Sequence, residues 1–386
     1  MKHILWLPSW YPNKTGPFDG DFIRRHAVAA AEFNPVYVVF VIKDNRLPAG
    51  ASPVVVRLST GNLHETIVYL PPLRSRIKWL NRLLSSLHYI GMSRKMLKEH
   101  VKSYGLPSLV HVHVVLRAGF TALWARKKMA IPFLLTEHWT GYDPSATDNI
   151  YTKFYLLRYL TKKVITQALM VLPVSNNLGQ LICTHFGPTP YTVVPNAVDT
   201  THFTLPPAES AVFRFIHVST MSFQKNCEGI LHSFAAVLRE HPAVELVMVG
   251  PFTDALCRLT DRLKATENVH WKGEISYEEV ASTMQQAGCL VMFSRFENLP
   301  CVILEALCCG LPVISTRVGG IPEVIDTANG ILISQGHEPQ LTAAMLHMIR
   351  DYSQYDRNHI SKAAREKFNY DVVGRKITAA YAACTG

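Results

Sequence analysis

The chain has 386 residues, 48% of them hydrophobic and 18% charged, with a net charge of +10. Those proportions exclude a disordered or low-complexity protein, and the length sets an expectation of two domains, each burying its own core. Residues 1–198 hold 23 Lys+Arg against 9 Asp+Glu, or +14, and the remainder holds 16 against 20, or −4, so the first half is expected to face something anionic.

Apolar, strand-like runs lie at residues 4–7, 36–42, 109–115, 133–136 and 170–174, then at 215–218, 246–249, 290–293 and 313–315. Helix-length amphipathic segments, such as 21–33, 178–186 and 229–241, fall between them. This alternation predicts an α/β fold of parallel sheets wrapped by helices: two doubly wound domains facing across a central cleft. A polar, proline-bearing stretch places the linker at about 197–211, dividing the chain into 1–198 and 199–369. The first apolar run is too short for a signal peptide, and no stretch approaches the roughly 18 residues needed to span a bilayer. Eight cysteines show neither a CxxC pair nor a regular spacing. Reduced thiols packed in a cytoplasmic protein are expected.

After the first strand comes a loop bearing Gly16 and Gly20, which leads into a helix. Glycine there lets backbone approach a ligand at a helix N-terminus, although for the loop taken alone a plain turn is the better reading. The segment 74–102 is basic and amphipathic, with Trp79, Leu80, Leu83, Leu84 and Leu87 at helical spacing among Arg74, Arg76, Lys78 and Arg82. It reads as a helix on an anionic membrane or as an ordinary surface helix. No nucleic-acid recognition motif accompanies the charge. His111 and His113 alternate along a strand, so one is expected in the core and the other near the strand end. His138 ends a strand where catalytic groups collect in such folds; structural and functional readings both stand there.

In the second half, Ser219 and Thr220 follow a strand, and Lys225 stands where it can reach a diphosphate as a point charge. Gly250 and the 316–323 segment mark two more strand-end loops, and Lys272 could line a base pocket. The densest stretch is 294–310. Glu297 sits in a loop, a helix runs from Pro300 to Gly310, and Glu305 lies inside it. The amides from Asn298 through Leu299 and Cys301 to Val302 are then donors at a helix N-terminus, a ready anion site.

This ordered set resembles the retaining GT-B-fold glycosyltransferases called glycosyl transferases group 1, or glycosyltransferase family 4. The specific marker is E-x7-E, here Glu297 to Glu305. The Gly16/Gly20 loop, His111-Val112-His113, Thr136-Glu137-His138, Val194–Asp199, Lys225-Asn226, Gly250 and Gly319–Glu323 support it in order. The resemblance implies that Glu305 holds the donor ribose, that Glu297 and the following amides hold the sugar and β-phosphate, and that Lys225 neutralises the leaving diphosphate without a metal. His138 would stand near the acceptor hydroxyl, and segment 370–386 would form a last helix returning to the first domain. Two departures stand out. Ser219-Thr220 replaces the family's usual Gly-Arg, so Lys225 acts alone or Arg295 substitutes, and Asn298-Leu299-Pro300 replaces Gly-Phe-Gly.

The expectation is a cytoplasmic transferase that also contacts the inner face of the plasma membrane. It would move a hexose from a UDP- or GDP-sugar to a saccharide or lipid-linked acceptor in envelope synthesis, with no cofactor. The alternatives are a non-catalytic nucleotide- or sugar-binding protein and a same-fold epimerase or hydrolase.

Overall fold

A computed structural model describes residues 3–73, 78–206 and 212–385. The first half runs β1 (Ile4–Pro8), α1 (Asp21–Ala31), β2 (Val36–Lys43), β3 (Val54–Thr60), β4 (Leu63–Leu70), α2 (Lys78–Tyr104), β5 (Leu109–His113), α3 (Ala118–Met129), β6 (Phe133–Glu137), α4 (Tyr155–Gln167), β7 (Val171–Pro173) and α5 (Asn176–Phe186). The second runs β8 (Arg214–Val218), α6 (Cys227–Val237), β9 (Glu245–Val249), α7 (Asp254–Arg262), β10 (Val269–Gly273), α8 (Tyr277–Gln285), β11 (Cys289–Met292), α9 (Cys301–Cys308), β12 (Val313–Thr316), β13 (Gly330–Ile333), α10 (Glu338–Asp351), α11 (Arg357–Phe368) and α12 (Tyr370–Thr385).

Strand order is β3-β4-β2-β1-β5-β6-β7 in the first sheet and β10-β9-β8-β11-β12-β13 in the second. All pairings are parallel except the β3–β4 hairpin at one edge. Each sheet therefore reverses direction at its first strand, β1 or β8. The loops leaving those strands line the crevice where ligands bind in doubly wound sheets. The fold is two Rossmann-like domains, as the alternation predicts.

Three strands were not expected from sequence. β3 is exposed along its length and pairs on one side only, so it lacks the apolar signature of a buried strand. After Leu63, β4 carries three consecutive polar residues, His64, Glu65 and Thr66, and β13 is four residues long.

The last helix, α12, packs on α1 in the first domain. A Cβ at Gly374 would stand 2.2 Å from the Ala29 carbonyl oxygen, so the two backbones nearly touch. Trp6 Nε1 donates to the Tyr381 hydroxyl at 3.1 Å, and that hydroxyl lies 2.8 Å from His111 Nδ1.

Candidate active site

The E-x7-E segment folds as its residue types direct. Pro300 occupies the N-cap position of α9, and its fixed φ suits a helix entrance. Gly310, at φ 72°, ends the helix region in a left-handed conformation. The helix itself covers 301–308, shorter at both ends than the 300–310 expected, because Cys309 already leaves helical geometry. No side chain caps its N-terminus, and Ile303 is the first of its amides to reach a carbonyl, that of Pro300, at 3.2 Å.

Glu297 is buried and accepts from Lys225 Nζ at 2.5 Å and from Gln224 Nε2 at 3.1 Å. Gln224 also donates to the Phe296 carbonyl, fixing the loop. Beneath lies Gly319, with φ 55°, where a Cβ would fall 1.9 Å from the Glu297 carbonyl oxygen. Only glycine allows that contact, so the loop after β12 presses against the backbone that aims Glu297.

Glu305, also buried, is engaged from the other domain. Arg25 Nη1 on α1 lies 2.5 Å from its Oε1, and the Tyr277 hydroxyl lies 3.4 Å away. Arg25 further donates to Tyr277 at 2.9 Å and to Asp21 at 2.9 Å. Burial pushes the Glu305 carboxyl up, against the pull of the guanidinium. Burial likewise raises the neighbouring Cys301 thiol to about 12, so it stays protonated.

Other contacts close the domains on each other here. Asn298 Nδ2 donates to the His138 carbonyl at 2.7 Å, Asn196 Nδ2 to the Leu299 carbonyl at 2.8 Å, and the Asn176 and Asn177 amides to Glu323. Cys301 and Val302, half-buried, begin α9 directly behind them.

On the first-domain side, Glu137 is fully buried and accepts from the Val115, His138 and Trp139 amides and from the Tyr142 hydroxyl, at 2.9–3.1 Å. It thereby fixes the backbone that carries His138. Burial, then the neighbouring His26 and His111, hold the His138 imidazole well below its usual range, so it is neutral. Its Nε2 completes no hydrogen bond, and Asn196 approaches the ring without reaching hydrogen-bond geometry.

His111 and His113 correct the sequence expectation. Residues two apart on a strand point to the same side, and both are fully buried with rings 4.1 Å apart. His111 is satisfied by Tyr381 and Thr136. His113 stacks on Trp6 at 4.0 Å, with neither ring nitrogen hydrogen-bonded. His26, His113 and His138 form the one grouping among the described residues that could hold a metal, with one ring nitrogen of each within 4.8 Å of the others. Burial holds all three imidazoles below their usual range, so they are neutral.

The remaining sequence candidates fall around this centre. Gly20, at φ 68°, precedes α1, and a Cβ there would meet the Trp10 backbone at 2.7 Å. Gly16 lies under the Asp19 carboxylate. Ser219 hydrogen-bonds His217 at 2.7 Å, while Thr220 and Lys272 are exposed. Gly250, at φ 131°, packs on the Ser219 carbonyl. Arg295 stacks on Phe223 and donates to Asn226 at 2.7 Å, so it is held beside Lys225 rather than free. Arg74 and Arg76 lie outside the described residues, as do the side chains of Lys78, Trp79, Leu80 and Arg82. No helix among the described residues is long and apolar enough to cross a membrane.

Arg25, Tyr277 and Gln224 were not singled out from sequence, and Glu137 only as part of Thr136-Glu137-His138. Arg25 left one trace: with Asp21 it forms an i,i+4 pair at the start of the helix after the glycine loop.

Residues 206–367 match the family model described as glycosyl transferases group 1, and residues 44–202 match that of glycosyltransferase family 4. Among curated proteins, the chain is 30% identical over 168 residues to N-acetyl-alpha-D-glucosaminyl L-malate synthase of Bacillus anthracis, covering 43% of each chain. It is 23% identical over 245 residues to alpha-monoglucosyldiacylglycerol synthase of Streptococcus pneumoniae, covering 59% of this chain and 55% of that one. These matches span about half the length of the curated relatives. Sucrose-phosphate synthase of Thermosynechococcus elongatus shares the fold, with TM-score 0.81, 16% identity and 99% of each chain covered. So does Anabaena Alr3699/HepE in complex with UDP-glucose, with TM-score 0.72, 15% identity, and 99% and 100% covered. Two family models that abut near residue 204, the E-x7-E element on α9 and two facing Rossmann-like domains agree: the chain belongs to the group 1 glycosyltransferases of GT-B fold.

Proposed function

We propose that the protein transfers a hexose from a nucleoside-diphosphate donor to a saccharide or lipid-linked acceptor, with retention of configuration and without a metal ion. The carrying observation is convergence. Lys225, the uncapped start of α9, Glu297 and Glu305 meet at the carboxyl edge of the second sheet, joined to His138 by the Asn298 hydrogen bond.

In this reading the diphosphate sits at the N-terminus of α9. As the anomeric C–O bond breaks, its electron pair passes to the diphosphate, and Lys225 and the helix amides meet the growing negative charge. Lys225 exchanges Glu297 for phosphate, which frees the carboxylate to accept from donor sugar hydroxyls. Glu305 exchanges Arg25 and Tyr277 for the ribose hydroxyls. The acceptor oxygen attacks from the face the diphosphate is leaving, and its proton goes to the departing phosphate oxygen. His138, neutral and with an unpaired Nε2, is the acceptor-side contact. A UDP-sugar is the favoured donor, supported by the fold shared with a UDP-glucose complex, and a GDP-sugar is next. A lipid-linked acceptor in envelope polysaccharide or glycolipid synthesis, met from the cytoplasmic side, is supported by the diacylglycerol-glucoside relative.

A panel of nucleotide-sugars read by thermal shift tests the donor, since a ligand that binds only the folded state raises apparent stability. A UDP- or GDP-sugar should raise the midpoint, Glu305→Ala should abolish the rise, and turnover should persist in chelator. Silence across the whole panel would overturn the reading.

A further inference from the structure

The N-terminal end of α4 leaves a large apolar surface uncovered. Phe154, Tyr155 and Leu156 are 87%, 83% and 65% exposed, with Tyr151 and Tyr159 exposed beside them. The helix is anchored by Thr161, Val164 and Ile165, all buried, and it packs against α3. Its first turn projects beyond that anchorage. Three consecutive large side chains point in different directions around a helix, so no rotation could bury them all in the core. Contiguous apolar surface of this kind marks an interaction site.

The charges around it identify the partner. Arg158, Lys162 and Lys163 are exposed on the same helix, Lys153 precedes it, and the Lys163 ammonium lies 4.8 Å over the Tyr159 ring. No acidic residue occurs between Asp148 and Asp199. A second exposed apolar group, Leu83, Leu84 and Leu87, lies in the early turns of α2. Helices α2, α3 and α4 pack in sequence, and each precedes the next strand of a parallel sheet. Their N-terminal ends therefore all lie at the carboxyl edge of that sheet, the edge that faces the cleft.

We propose that this edge of the first domain docks on an anionic lipid bilayer, with the start of α4 inserted at headgroup depth and α2 beside it. Tyrosine rings suit the interface, with one end apolar and the hydroxyl end wet, Phe154 and Leu156 can enter the acyl boundary, and the cations meet lipid phosphates. A second copy of this chain fits poorly, because it would oppose one cationic face with another. The surface shares Leu83, Leu84 and Leu87 with the 74–102 segment expected from sequence and adds the start of α4, and it stands on exposure and charge alone. Its failure would leave the transferase reading intact.

The test is sedimentation of the full chain with vesicles of phosphatidylcholine alone or of equal parts phosphatidylcholine and phosphatidylglycerol. Binding is expected to the anionic vesicles and to weaken with salt. Phe154→Ser/Tyr155→Ser/Leu156→Ser and Arg158→Glu/Lys162→Glu/Lys163→Glu should each lower partitioning about tenfold or more. Both variants should keep the thermal midpoint and its shift with donor, since none of these side chains supports the core or the cleft. Absence of binding to anionic vesicles, or binding that neither variant weakens, overturns the proposal. So does a dimer in sedimentation velocity that the apolar variant dissolves, which would make the face a contact between copies.

Discussion

Arg25 Nη1 on α1 and Glu305 Oε1 on α9 stand 2.5 Å apart, a buried ion pair that joins the two domains through residues 280 positions apart. The carboxylate at the proposed ribose site is thus neutralised by the opposite domain. Donor binding and domain closure consequently compete for, or share, one charge.

Arg25→Ala should leave Glu305 buried without its partner and destabilise the protein by about 3–5 kcal/mol. Denaturant unfolding without nucleotide measures this. The double variant Arg25→Ala/Glu305→Ala should recover part of the loss, because the uncompensated charge is then gone. Strictly additive penalties would show that the pair is not coupled.

Lys225→Ala should lower kcat by about 100- to 1000-fold, the scale seen when a preorganised stabiliser of developing negative charge is removed. Lys225→Arg should restore part of the rate. Initial rates at saturating donor decide it, and a change below about threefold would assign the diphosphate to the helix amides instead.

Gly319→Ala places a methyl group against the Glu297 carbonyl oxygen at a φ that L-residues avoid. The loop must shift, with a stability loss of about 1–3 kcal/mol and a fall in kcat larger than that of Gly336→Ala. Gly336 shares the positive φ but has open space around it, so it separates backbone strain from displacement of Glu297.

Burial lowers the His26 imidazole from 6.5 to about 4, and its Nε2 hydrogen-bonds the Pro195 carbonyl at 2.9 Å. The unfolded chain therefore takes up a proton near pH 6.5 that the folded chain refuses until about pH 4. Stability is complete above pH 6.5 and falls as pH drops through that window, by roughly 3 kcal/mol from this residue. His113 and His138, also held low, act in the same direction. Urea midpoints from pH 7.5 to 4.5 should show the decline, and His26→Gln should flatten it.

What the sequence made legible was local. Pro300 and Gly310 bracket α9, and Glu297 and Glu305 carry their family signature in one short stretch. The alternation of strand and helix was enough for the fold, because buried parallel strands are continuous apolar runs. The partners of those carboxylates were not legible. Arg25 and Tyr277 reach Glu305 from distant elements, and nothing in their neighbours marks the meeting. The pairing of His111 with His113 on one face was implied by strand geometry and misjudged, while the unpaired state of His113 depends on Trp6, more than 100 residues earlier.

The docking of α12 on α1 has a consequence for biogenesis. Tyr370 follows Pro173, the end of the first sheet, by 197 positions (173 to 370). Ribosomes add about 5–20 residues per second, so the surface around Ala29, Trp6 and His111 waits about 10–40 s for its cover. During that interval the second domain is made and can fold, while the outer face of α1 stays uncovered and His111 Nδ1 lacks its Tyr381 partner. The order of completion is the reverse of the order of synthesis, and a chaperone that shields the α1 face would act in that gap.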